Sequence, residues 1–128
     1  MCIDTERFAT HLRQHAASCS THKCAAYVRQ ALEAGGADTS GHPVDARDYG
    51  PTLLRNGFCE FKPPSLAAYV PARGDIVVIQ PTANGSKSGH IQAYDGKNWI
   101  SDFVQLGFWP GPVYRQEQPR YAIYRPEG

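Results

Sequence analysis

The sequence predicts an α+β fold in which helices come first and a small, mostly antiparallel sheet follows. Up to Ala34 the apolar residues recur at helical spacing between capping and glycine signals. From Phe58 onward they alternate or run together in short stretches separated by turn residues. Helices gathered in one half and strands in the other mark an α+β chain rather than repeated βαβ units.

The elements follow in order. Asp4 or Thr5 caps a helix that reaches about Ala16, with Phe8 and Leu12 as an i, i+4 apolar pair. Ser20 caps a second helix that runs to Ala34 and stops at Gly35-Gly36. Its buried stripe is Cys24, Tyr27, Val28, Ala31 and Leu32. Residues 35–43 form a loop, and residues 45–56 a short helix ending at Gly57 and interrupted near Gly50-Pro51. Strands are expected at 58–61, 75–80, 90–94, 98–103 and 120–125, the third and fourth flanking a turn at Asp95-Gly96. Residues 105–119, with Gly107, Pro110, Gly111, Pro112 and Pro119, read as a rigid loop.

At 128 residues the chain is expected to be one domain, residues 1–128, and 41% hydrophobic with 20% charged residues is the composition of a globule with a core. A net charge of +1 rules out the broad basic field that nonspecific nucleic-acid binding needs. No apolar run approaches membrane-spanning length. Residues 1–16 carry Asp4, Glu6, Arg7 and Arg13, so they lack the apolar core of a signal peptide, and synthesis in the cytoplasm without such a peptide is expected. The four cysteines, at 2, 19, 24 and 59, are too few for a disulfide scaffold, though Cys19 and Cys59 allow one bridge in an oxidising compartment.

The chemistry centres on Cys24, placed in the first turn of the second helix, and on His90, at the head of a strand after Ser88-Gly89. A thiol near a helix N-terminus meets partial positive charge and unpaired N–H groups that favour the thiolate. An apparent pKa below the free-thiol value of about 8.5 is therefore expected. The same amides can receive an oxyanion, and a nearby imidazole can take the thiol proton and return it to a leaving amine. The competing reading is a core cysteine, since Cys24 lies on the apolar stripe and free cysteine is among the most buried residue types.

A third group usually fixes the tautomer of such a histidine, and the hairpin register decides which residue can do so. With a two-residue turn at Asp95-Gly96, His90 faces Ser101 and Asp102 points away; with a three-residue bulged turn, His90 and Asp102 share a face. Gln92, on the His90 face, is the fallback. Tyr49 is a candidate cleft-lining residue, against a packing role. Trp99, Phe108 and Trp109 are read as packing before glycan stacking. His15, Cys19, His22 and Cys24 lack paired metal-ligand spacing, so no metal and no cofactor is expected.

Three segments, 22–28 (HKCAAYV), 72–78 (ARGDIVV) and 88–94 (SGHIQAY), resemble in content, order and spacing the signature blocks of the NlpC/P60 and CHAP superfamily of cell-wall peptidases and amidases. With their intervals they cover most of residues 20–103. Lys23 before the cysteine and Ala25-Ala26 after it depart from the family's usual neighbours. The resemblance implies a papain-like fold in which Cys24 attacks an amide of the peptidoglycan stem or cross-link, His90 is the base, and Asp102 is the third polar residue. It also implies, by likeness to the superfamily's bare catalytic domains, an antibacterial amidase effector injected into rival bacteria or a phage lysin. An effector of that kind would act in the periplasm or wall of its target and be neutralised in the producing cell by a cognate immunity protein. The alternative is a noncatalytic module of the same fold that binds wall polymer or protein.

Overall fold

In the computed structural model, which describes residues 3–127, Asp4 starts the first helix as the sequence leads one to expect. Its carboxylate accepts the Arg7 N–H at 3.0 Å, filling one of the donors that a helix start leaves open, and helix α1 (Thr5–His15) buries Phe8, Ala9 and Leu12. Helix α2 (Cys24–Ala34) does not begin at Ser20. Lys23 occupies the cap position without a side-chain bond, and the Ser20 hydroxyl reaches only the His22 N–H, at 3.4 Å. Cys24 is consequently the first helical residue, earlier in the helix than the Ser20 cap would have made it.

After a 3-10 turn (Ala46–Asp48) come helix α3 (Gly50–Arg55) and strands β1 (Phe58–Phe61), β2 (Ile76–Ile79), β3 (His90–Tyr94) and β4 (Trp99–Ile100). Helix α4 (Pro112–Glu117) and strand β5 (Tyr121–Pro126) complete the order. The strands make one sheet, β1-β5-β2-β3-β4, with every neighbouring pair antiparallel. Two expectations are corrected here. The strand expected at 98–103 ends at Ile100, because Ile100 bridges Val104 and the chain doubles back. The loop expected at 105–119 contains α4, whose first-turn proline needs no N–H partner.

Alternation sorts the sheet into two faces. Ile76, Val78, Ile91, Ala93 and Ile100 meet the helices through Phe8, Leu12, Val28, Leu32 and Leu53. Val77, Ile79 and Ile123 face the other way with Tyr69 and Trp99, under Phe61, Phe108, Trp109 and Tyr121. Trp99, Phe108 and Trp109 meet edge to face at 5.6 and 5.0 Å, so these aromatics pack. No described helix is long and apolar enough to cross a membrane. Cys19 and Cys59 are free thiols, so the bridge considered between them is not formed; Cys59 donates to Glu127, and Cys2 lies outside the described residues.

Asp75, in the Gly-Asp segment, joins the sheet to its flank. Its fully buried carboxylate accepts two bonds of 2.9 Å from Arg125, one of 2.7 Å from the Tyr69 hydroxyl and one of 3.0 Å from the Ala72 N–H. Arg125 in turn lies 4.1 Å over the Phe61 ring. Asp75→Ala strands a part-buried guanidinium and a buried phenol, and the expected loss of stability is about 3 kcal/mol. Urea unfolding checks this, and a loss below about 1 kcal/mol would assign the cluster to surface electrostatics.

Candidate active site

His90 opens β3 opposite Ile79. The residue before it must be glycine: Gly89 has φ +75°, and a Cβ there would stand 2.5 Å from the Ile79 carbonyl oxygen and 3.0 Å from the Arg47 Cβ. The glycine therefore lets the backbones approach, and it lines the same cleft as His90.

The imidazole is 8% exposed, and its Nε2 lies 2.9 Å from Gln105 Oε1. The amide nitrogen of Gln105 faces oxygens, Gln92 Oε1 at 3.0 Å and the Gly107 carbonyl at 3.0 Å. Gln92 Nε2 donates to the Phe108 carbonyl at 2.7 Å. This sequence of donors assigns the proton: with the Gln105 nitrogen committed to acceptors, its oxygen must accept from His90 Nε2–H. Nδ1 is left bare as the basic nitrogen.

Asp102 has a different position from the one expected of an orienting group. The Asp95 carboxylate accepts the Lys97 and Asn98 N–H groups at 2.9 and 2.6 Å, which makes a four-residue turn and pairs Tyr94 with Trp99. Neither of the two expected registers forms. Trp99 shares the His90 face, and Gln105, whose N–H bonds the Trp99 carbonyl at 2.8 Å, joins it there. Asp102 sits at the apex of the reversal and turns toward the segment before α2. Its Oδ2 accepts the Thr21 N–H at 2.5 Å, the Thr21 hydroxyl at 2.9 Å and the Lys23 N–H at 3.4 Å, while its carbonyl accepts the Ala17 N–H at 2.8 Å. These bonds hold His22 at φ +61° and aim the start of α2. Asp102 is thus tied to the approach to Cys24, and it is Gln105 that bonds His90.

At the first position of α2, the Cys24 sulfur lies near the Ile91, Ala25 and Cys24 N–H groups, whose dipoles favour its charged form. Sulfur and imidazole line one open cleft of about 330 Å³, with Asp102, Tyr114, Ser88 and Gly111 among its walls. No hydrogen bond joins the sulfur to the imidazole among the described residues. Burial pushes the Cys24 thiol up; the Ile91 N–H opposes this and the Asp102 charge adds to it. The net rise is opposite to the depression expected from the helix start alone. Burial also pulls the His90 imidazole down, against Gln105 and Asp102, which favour its protonation. For Asp102, burial pushes the carboxyl up, but the bonds from Thr21 outweigh it and hold the group below the usual carboxylate range. These directions favour, near neutral pH, a neutral thiol and a neutral imidazole beside a charged carboxylate.

Tyr49 is 1% exposed, packed in the helix-side core with its hydroxyl toward His42 Nδ1 at 3.4 Å, and it is not among the cleft walls. Tyr49 joins the 3-10 turn to α3, and its ring packs in the core rather than lining the cleft as expected. Among the described residues no three His, Cys, Asp or Glu side chains converge on a metal position, and His15 stacks on His11 at 3.8 Å.

Two solved structures of the type VI effector–immunity complex Tae3–Tai3 from Ralstonia pickettii contain a chain similar to this one. In the native complex it is 42% identical with a TM-score of 0.86, over 97% of this chain and 99% of that one. In the selenomethionine complex it is 44% identical with a TM-score of 0.81, over 92% of this chain and 98% of that one. No protein-family model and no curated protein matches the chain.

Two measurements follow from the charge states. Iodoacetamide alkylation of Cys24 against pH is expected to give an apparent pKa above the free-thiol value of about 8.5; a profile flat down to pH ~6 would mean a preformed thiolate–imidazolium pair. Because the folded protein holds His90 below the ordinary 6.5, the unfolded chain takes up that proton first. The stability His90 contributes is full above 6.5 and is lost as pH falls from there through the folded value. Urea midpoints at pH 7.5 and 5.5 are expected to differ less in His90→Gln than in the wild type, and an equal difference in both would contradict the burial effect.

Proposed function

The chain belongs to the Tae3 family of type VI effectors, and from that premise we propose that it hydrolyses amide bonds in the peptide part of peptidoglycan through a Cys24 thioester. We read the five-stranded α+β arrangement as the papain-like fold of the NlpC/P60 and CHAP superfamily. The observation that carries the reading is a thiol at a helix start sharing an open cleft with a histidine whose Nδ1 is free.

Burial of a substrate amide against the sulfur brings Nδ1 within reach of the thiol proton. As Sγ bonds the carbonyl carbon, the proton passes to Nδ1 and the C=O π pair moves onto oxygen. The Cys24 N–H, unpaired at the start of α2, receives that oxyanion. Collapse of the adduct breaks the C–N bond, and His90 gives its proton to the departing amine. Water activated by Nδ1 then cleaves the thioester. Gln105 holds the imidazole in the required tautomer, and Asp102 holds the segment that delivers Cys24. The effector reading places this reaction in the periplasm or wall of a target cell after injection, with a cognate immunity protein protecting the producer.

The test is digestion of purified sacculi, followed by chromatography and mass analysis of the released muropeptides. Wild type is expected to release new amines and Cys24→Ala none. His90→Ala lowers the rate by about 10²–10⁴-fold, and Gln105→Ala by about 10-fold or more with the fold intact. Equal inactivity of wild type and Cys24→Ala would instead favour a wall-binding module, and equal activity would rule out Cys24 as the nucleophile. An inert wild type whose Cys24 still labels with thiol electrophiles would move the chemistry to another amide substrate.

A further inference from the structure

Tyr114 is unaccounted for in this scheme. It lies on α4, the helix hidden in the proline-rich segment, and lines the cleft together with Cys24 and His90. Its ring centroid is 5.8 Å from that of His90 at an interplanar angle of 52°. The Glu117 carboxylate ties α4 to the opposite rim, accepting the Ala83 N–H at 3.0 Å and an Asn84 Nδ2 hydrogen at 3.1 Å. The ring is thereby fixed, yet its hydroxyl makes no hydrogen bond within the described residues. Half-buried tyrosine hydroxyls usually find a partner, and one left unpaired beside a nucleophile is a donor available to a ligand.

We propose that Tyr114 is a catalytic residue whose hydroxyl donates a hydrogen bond to the oxyanion formed at the scissile carbonyl, opposite the Cys24 N–H. This rests on the thioester reading above. Of the other polar side chains lining the cleft, Asp102 is committed to Thr21 and Lys23 and the Ser88 hydroxyl to Asp45, while Ser20 and His22 lie on the α2 side with the sulfur and Tyr114 comes from α4. Burial, and to a lesser degree the Cys24 sulfur, push the Tyr114 phenol up, so it keeps its proton and acts as a donor throughout. In the step itself the Sγ–C bond forms, the π pair moves to oxygen, and the thiol proton goes to His90. The tyrosine O–H bond stays intact. The hydrogen bond is strongest when charge sits on oxygen, so it accelerates acylation without tightening ground-state binding.

Tyr114→Phe keeps the ring over His90 and removes only the donor. With muropeptides prepared from sacculi as substrate, kcat is expected to fall about 10²-fold or more while KM changes less than about twofold. Iodoacetamide alkylation of Cys24 forms no oxyanion, so its rate and pH profile are expected to match the wild type, as is the thermal midpoint. Unchanged turnover in Tyr114→Phe would overturn the proposal, and so would a turnover loss matched by an equal loss of alkylation rate, which would make the residue a prop for the thiol. Failure of the wild type on every sacculus preparation strikes the peptidoglycan reading instead and is seen before any variant is compared.

Discussion

A buried primary amide carries two donors and an acceptor that all need partners, and on the His90 face of the sheet two such amides are paired with each other. Gln92, fully enclosed on β3, accepts from Gln105, which then has its oxygen free for the His90 ring. Reversing either amide would set nitrogen against nitrogen or oxygen against carbonyl oxygen. The main-chain carbonyls of Gly107 and Phe108 close the other end of the network. The imidazole thus takes its orientation and tautomer from packing that is complete before any substrate arrives.

Two polar positions flank the cysteine and histidine in different ways. Gln105 orients the imidazole without lending it negative charge, and burial favours its neutral form. Asp102 keeps its charge but applies it to the backbone of the segment that aims Cys24. In the proposed mechanism these choices give a site without a standing ion pair, in which proton transfer and sulfur attack are coupled when substrate excludes water from the cleft.

Much of this was legible in the residues. The caps, glycine stops and period located α1 and the end of α2, and the strand alternation located β1, β3 and β5, because those signals are local and nothing in the tertiary structure opposes them. Cys24 and His90 stood out for the same reason. The register around Asp102 was not legible because it depends on one turn: Asp95 recruits two N–H groups and lengthens the loop to four residues, a choice set by side-chain hydrogen bonding that simple two- and three-residue alternatives did not include. The onset of α2 moved from Ser20 because a carboxylate 81 residues beyond Thr21 replaced the local cap. Helix α4 was obscured by its own prolines and glycines, and Tyr114 went unseen with it. Tyr49 illustrates the opposite difficulty, since an aromatic in a short helix reads alike whether it faces a cleft or the core, and the fold put it in the core.

The protonation of one imidazole tests the arrangement most directly. Long-range ¹H–¹⁵N correlation spectra of the ¹⁵N-labelled protein at pH 7.5, with His90 assigned by comparison with His90→Gln, report which ring nitrogen bears hydrogen. The glutamine relay requires a neutral ring with hydrogen on Nε2 and a bare Nδ1, changing in Gln105→Ala. A ring protonated on Nδ1, or a doubly protonated ring at that pH, would contradict it.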